Sequence, residues 1–408
     1  MKFAHLGDCH IGSWRDQKLR STGINAFMKA IDLCIEKKVD FILISGDLFN
    51  TSLPSFDGLR ESVRKFRQLK DSGIPVYLIA GSHDFSPSGK TMIDVLESAG
   101  LVHNVMKGDI ENGKLRLKFT VDKKTGAKIT GILGRKGCLE RKDYEELITE
   151  NLEQEEGYKI FIFHSAIDEL KSAEMEKIDS QPLSLLPRGF DYYAGGHVHE
   201  RAEFSDEGYK SIVYPGPLFP TNFREIEKLG NGGFYIVNDG NAIFNPIQIH
   251  NVFSICIDGN GKSVEQIESE IIRHIKNKEF NNTIVTIRVK GELMSGKPSE
   301  INFKNIFEML YEKSAFFVMK STSLASSKEF EAVEMETKNV DDVEDKIIKE
   351  HVGQIKCGMA AEEEAEMTKR LMVEFNKEKE DGERVADFEN RVIEEVKKVL
   401  NLDGLFEN

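Results

Sequence analysis

Five short apolar runs in the first 200 residues lead directly into an aspartate or a histidine, and no other feature of the chain restricts its fold as strongly. FAHLGD, DFILISGD, PVYLIAG with its following SHD, KIFIFH and DYYAGGH each read as a strand with a polar tip. Between them, Phe56 to Asp71 and Thr91 to Ala99 carry apolar residues at helical spacing, with Gly73 and Gly100 as stops. Strands alternating with amphipathic helices predict α/β layering. In such a sheet the strand ends converge on one edge, where a site assembles.

The tips carry ligand chemistry. Asp8 and His10 flank Cys9, and on a strand end they share one face while Cys9 points the other way, which suits a carboxylate and an imidazole on one cation. Gly46 lets the backbone turn so that Asp47 projects from the second tip, where a carboxylate can bridge two cations; capping the next helix is the plainer reading. Gly81-Ser82-His83-Asp84 offers an imidazole with a carboxylate one residue later to orient it. His164 ends the fourth run, a place where a histidine is usually structural. His197 and His199 follow the fifth and again share one face, a more specific metal signal. The joint pattern decides, because five tips in one domain deliver ligand-type residues. Of the ten histidines, His5, His103, His250, His274 and His351 lie outside these motifs and are assigned no role.

The chain is too long for one ordinary core. A second unit is expected to start near Pro246, where FSICID, KSVEQIESEIIRHIKNK, NTIVTIRVKG, INFKNIFEMLYEK and AFFVMK read strand, helix, strand, helix, strand. The polar run from Ser321 to Glu329 reads as a linker, followed by helices rich in Glu and Lys. From Glu383 to Leu400, Val385, Phe388, Val392, Val396 and Val399 form one apolar stripe that needs a partner surface, on this chain or another.

The net charge of −14 argues against a phosphate-binding surface until its distribution is considered. Residues 326 to 408 hold 24 acidic and 13 basic side chains, so the preceding 325 residues are close to neutral. Cys9, Cys34, Cys138, Cys256 and Cys357 contain no CxxC pair and are expected to be reduced and structural. Apolar runs are strand-sized, so no membrane span is expected, and the opening MKFAHLGDCH enters a strand at once without a secretion signal, which points to the cytoplasm.

The ordered set DCH, GDLF, GSHD, FH and GHVH resembles the calcineurin-like metallophosphoesterase superfamily, over roughly residues 1 to 240. GDLF, YPGPLF from Tyr214 to Phe219 and the following GGFYIV resemble most the DNA double-strand-break repair nucleases called SbcD in bacteria, whose archaeal and eukaryotic relatives bear the meiotic-recombination-eleven name. The resemblance implies an α/β fold: a β-sandwich flanked by helices (residues 1–243), a small α/β capping domain that binds DNA (246–322), and an acidic linker with a C-terminal helical arm (323–408). It implies two Mn2+ ions per chain, one held by Asp8, His10, Asp47 and His199, the other by Asp47, His164 and His197, with His83 beside the scissile phosphate and Asp84 orienting it. The family has Asn where this chain has Ser82, normally a ligand of the second ion; a serine hydroxyl is shorter and poorer, so that ion should bind more weakly.

The implied activity is 3′-5′ exonuclease action on duplex ends and endonuclease action on single strands, with an SbcC-type coiled-coil ATPase docked on the C-terminal helices. The implied homodimer forms through the helices after Asp57 and Thr91. Arg135, Lys136, Arg141 and Lys142 are candidates for facing DNA, a solvated surface being the plainer reading. A phosphatase or cyclic-nucleotide phosphodiesterase would share the metal chemistry but would not require the last 160 residues. A binding scaffold with a decayed site is the third reading, prompted by Ser82.

Overall fold

A computed structural model describes residues 1–86, 91–172, 175, 178–327, 348, 360–375, 377 and 385–400. Alternation with period two organises the first 250 residues. In the parallel strands Lys2–Leu6, Phe41–Ser45 and Val76–Ile79, the residues Ala4, Leu6, Ile42, Ile44 and Leu78 face one side and Phe3, Phe41, Leu43, Tyr77 and Ile79 the other. Both faces are apolar, so both are buried. These strands belong to a six-stranded sheet that Gly233–Asn238 and Asn241–Pro246 extend at one edge and His103–Asn104 at the other.

A second six-stranded sheet has Lys159–His164 and Tyr192–Gly196 at its centre. Its Ile160, Ile162, Tyr192 and Ala194 share one core with Phe3, Phe41 and Leu43, making a two-sheet sandwich. The outer face of the first sheet is covered by helices Gln17–Glu36, Phe56–Asp71 and Met92–Ser98. The second helix has the bounds its periodicity predicts, started by the Ser55 hydroxyl and stopped before Gly73 at φ 70°. The third starts with Thr91 as its cap, and Gly100 follows at φ 64°. The 20-residue helix Gln17–Glu36, capped by Asp16, was not anticipated from the sequence.

Three parallel strands, Asn251–Asp258, Thr283–Leu293 and Phe317–Ser327, form a separate sheet covered by helices Val264–Ile275 and Phe303–Glu312, with a core of its own. The run from Ser321 is therefore not a linker. It pairs as strand, Lys290 with Leu324 and Leu293 with Ser327, because hydroxyl-bearing residues suit an exposed edge strand as well as a tether.

Beyond residue 329 lies a second unit. Its described helices, Ala361–Phe375 and Val385–Val399, pack against each other, with Phe388, Val392, Val396 and Val399 half-buried on the second. Among the described residues no helix is long and apolar enough to cross a membrane.

Candidate metal centre

The two sheets each supply part of the site. Asp8, Asp47 and His83 follow three strands of the first sheet, while His164 ends a strand of the second and His197 and His199 follow another. Asp8 and His10 do not sit on the strand, which stops at Leu6; both lie in the left-handed region, at φ 47° and 41°. Asp47 at 48° and His197 at 83° share that conformation. Left-handed backbone is costly for residues with a Cβ, so the loops must hold it, and they do so by pairing: His10 N–H donates to the Asp47 carbonyl at 2.9 Å and Ile11 N–H to that of Leu48 at 3.0 Å. Cys9 still faces away, buried in the core beneath the helices.

Two glycines allow this convergence. A Cβ on Gly81 would stand 2.2 Å from Asp47 Oδ1, and one on Gly196 would stand 1.9 Å from the Ser45 carbonyl oxygen.

Asp47 lies at the centre. Its Oδ2 is 3.3 Å from His164 Nε2 and 3.6 Å from His10 Nε2. His10 Nε2 is 3.0 Å from His199 Nε2, which lies 3.9 Å from Asp8 Oδ1. Among the described residues three groups have ligand atoms within 4.8 Å of one another: Asp8, His10 and His199; Asp8, Asp47 and His164; and His10, Asp47 and His83. Asp47 does not cap a helix; Ser55 starts the one that follows.

Each of three imidazoles is turned by a partner behind it. His164 Nδ1–H donates to the Ser45 carbonyl at 2.8 Å, His83 Nδ1–H to the Asn50 carbonyl at 2.9 Å, and His199 Nδ1–H to Glu225 Oε1 at 2.8 Å. In all three the second nitrogen, Nε2, is the one left for the site. Glu225 escaped the sequence reading, although Asn222 and Glu225 stand at capping-box spacing.

Asp84 does not orient His83. Its buried carboxylate accepts the backbone N–H groups of Leu48, Phe49 and Gly81 at 3.0, 2.9 and 3.1 Å, tying the second tip to the third, while the His83 ring turns to Asn50. His197 joins none of the three groups; its N–H donates to Asp8 Oδ1 at 3.0 Å and its ring packs edge-on against His164. Ser82 and His197 line a cavity of about 410 Å³ together with His83, Arg135 and Lys136. Arg135 pairs there with Asp143 at 3.0 Å, whereas Arg141 and Lys142 pair along their own helix with Glu145 and Glu146.

Burial lowers the pKa of His10 to about 3 and that of His197 to about 4, so both imidazoles are neutral at physiological pH. Burial raises Asp8 to about 6 and, reinforced by the nearby Asp47, raises Asp84 to about 7. Between Asp47 and His164 burial opposes both charges, but their mutual attraction prevails: Asp47 is held down and His164 is raised to about 10.

These residues fit a pair of divalent cations. Asp8 Oδ2, His10 Nδ1 and His164 Nε2 are buried without a hydrogen-bond partner, a cost that bound ions would relieve. Mixed imidazole and carboxylate donors suit a transition ion. Such a pair supplies water activation and neutralises phosphate charge. The chain itself orients the imidazoles, buries Asp47, and leaves His83 exposed, its backbone N–H fixed to Asp47 Oδ1 at 2.7 Å; an imidazole so placed can hold an anionic oxygen or donate a proton.

Residues 1–201 match the family described as calcineurin-like phosphoesterase. This domain belongs to the calcineurin-like phosphoesterases. The whole chain is similar to the DNA double-strand break repair protein Mre11 of Archaeoglobus fulgidus, 25% identical and covering 98% of this chain and 95% of that one. The Mre11 proteins of Methanococcus maripaludis (29%; 76% and 79% covered) and Saccharolobus solfataricus (28%; 72% and 76%) are similar too. The motif order and these similarities agree on the SbcD and Mre11 branch of the phosphoesterases. The chain is a metal-dependent phosphoesterase.

Proposed function

We propose that this phosphoesterase is a manganese-dependent DNA nuclease of double-strand break repair, a 3′-5′ exonuclease on duplex ends and an endonuclease on single strands, acting in the cytoplasm. The observation that carries the reading is the convergence of Asp8, His10, Asp47, His164 and His199 around one point in a chain similar to Mre11 proteins over nearly its whole length. One ion is held by Asp8, His10, Asp47 and His199, the other by Asp47 and His164 with His197 and Ser82 on the open side. Arg135 and Lys136, on the cavity beside His83, face the DNA backbone.

A coiled-coil ATPase of the SbcC type docks on the C-terminal helices, where Val373 and Phe375 are exposed. Two copies pair through the helix starting at Phe56 and the one starting at Met92, which expose Phe56 and Val95, with Leu53 nearby. The test is manganese-dependent digestion of end-labelled duplex DNA by the parent, His83→Ala and Asp47→Ala. Cleavage by the parent and its loss in both variants is the expected result. Hydrolysis of p-nitrophenyl esters with intact DNA would replace this reading with a small-molecule phosphatase or phosphodiesterase.

A further inference from the structure

The short helix Phe223–Leu229 touches the metal centre with one face and the three-stranded cap with the other. Glu225 and Glu227 are two residues apart, so they project from nearly opposite sides of the helix. Glu225 Oε1 holds His199 Nδ1, and the same carboxylate is itself fixed by the N–H and hydroxyl of Thr221, at 2.7 and 3.0 Å, and by the Asn222 amide at 2.6 Å. Glu227 takes a two-pronged bond from Arg288 in the central cap strand: Arg288 Nε lies 2.8 Å and Nη2 2.5 Å from Oε2. The pair is largely buried, and the Arg288 guanidinium also lies over the Phe223 ring, 4.9 Å from its centre. A second tie runs from this helix to the metal-side loop, where Lys228 Nζ bonds Glu200 at 2.6 Å, next to His199.

We propose that this helix is a lever between cap and metal centre: Arg288 sets the helix through Glu227, and Glu225 thereby sets the orientation, and the ion affinity, of His199. Glu225 and Arg288 are positioning residues. A ligand-bearing imidazole whose far nitrogen is rigidly held binds its ion more tightly than one free to rotate. DNA that shifts the cap would thus change metal retention at the His199 site without touching a ligand. The inference rests on the two-ion reading above and adds a route by which that centre is regulated.

Manganese titration of the full chain by calorimetry, with the manganese electron-paramagnetic-resonance signal as a second readout, tests it. Glu225→Gln is expected to weaken one of two ions about 10- to 100-fold, with a changed signal, while the unfolding midpoint in EDTA reports separately the bond that the amide cannot accept. Arg288→Met is expected to weaken the same ion roughly 2- to 30-fold, with Arg288→Lys recovering part of the loss. In the Glu225→Gln background Arg288→Met should cost little more. Additive losses, or an unaltered ion in Arg288→Met, would overturn the lever while leaving the nuclease reading standing. No manganese uptake by the parent would overturn both.

Discussion

Asp47 Oδ1 accepts the backbone N–H of His83 at 2.7 Å, while the other oxygen of the same carboxylate faces His164 and His10. One side chain therefore both stands at the centre of the candidate cation site and fixes the backbone of His83 at its edge. Asp47→Asn keeps an acceptor for His83 but lacks the charge that holds ions. It should lose manganese uptake and at least about 10³-fold in DNA cleavage, measured by calorimetry and end-labelled digestion. Asp47→Ala should in addition lose about 1 kcal/mol of stability for the unmet N–H.

Asp84 acts through the backbone rather than through His83. Asp84→Ala leaves three N–H groups in buried loops without their acceptor, a loss of roughly 3 kcal/mol at about 1 kcal/mol or more each. Urea unfolding in EDTA should show it, with Asp84→Asn milder. An unchanged midpoint in the alanine variant would remove this structural role from Asp84.

His5, between the sheets, bonds the Tyr192 hydroxyl at 2.9 Å and the Ser45 hydroxyl at 3.0 Å, and burial lowers its pKa to about 3. A folded value below the unfolded one of about 6.5 means that its contribution is complete above that pH and is lost as pH falls from there towards 3. Between pH 7.5 and 5 the metal-free parent should lose about 2 kcal/mol more than His5→Gln. Urea titrations at the two pH values give the comparison.

Ser82 stands where the family carries asparagine, buried beside His83 and His197. Ser82→Asn should raise affinity for the second ion and lower the manganese concentration needed for half-maximal cleavage, by about tenfold if one ligand is gained. Superimposable titrations for parent and variant would remove any role of this position in holding metal.

Phe56, the first residue of its helix, is 92% exposed, and Leu53, three residues earlier, is 82% exposed. If two copies meet there, Phe56→Glu removes apolar burial from both sides of a symmetric contact, at roughly 1.5–3 kcal/mol per side. Sedimentation equilibrium should then show dimer dissociation raised about a hundredfold or more.

That Asp8, Asp47 and His164 come together was legible because each stands at or just behind the end of an apolar strand, so a local pattern carried a non-local fact. Asp84, Glu225 and His5 were misread or missed because their partners lie far along the chain: Asp84 serves loop amides at residues 48 and 49, Glu225 serves His199, and His5 serves Tyr192. Spacing says nothing about such pairs. The left-handed turns at Asp8 and His10 were equally hidden, since alternation assumes that a strand continues. Ser321 to Ser327 deceived for the opposite reason: its composition suits a tether, and only pairing with Arg288 to Leu293 makes it strand.

Because the first sheet brings Asp8, His10 and Asp47 and the second brings His164 and His199, the groups Asp8, His10, His199 and Asp8, Asp47, His164 each draw on both layers. An ion held here is a rivet through both layers. Such a site is complete only where both layers are folded against each other, so metal uptake would report the docking of one sheet on the other.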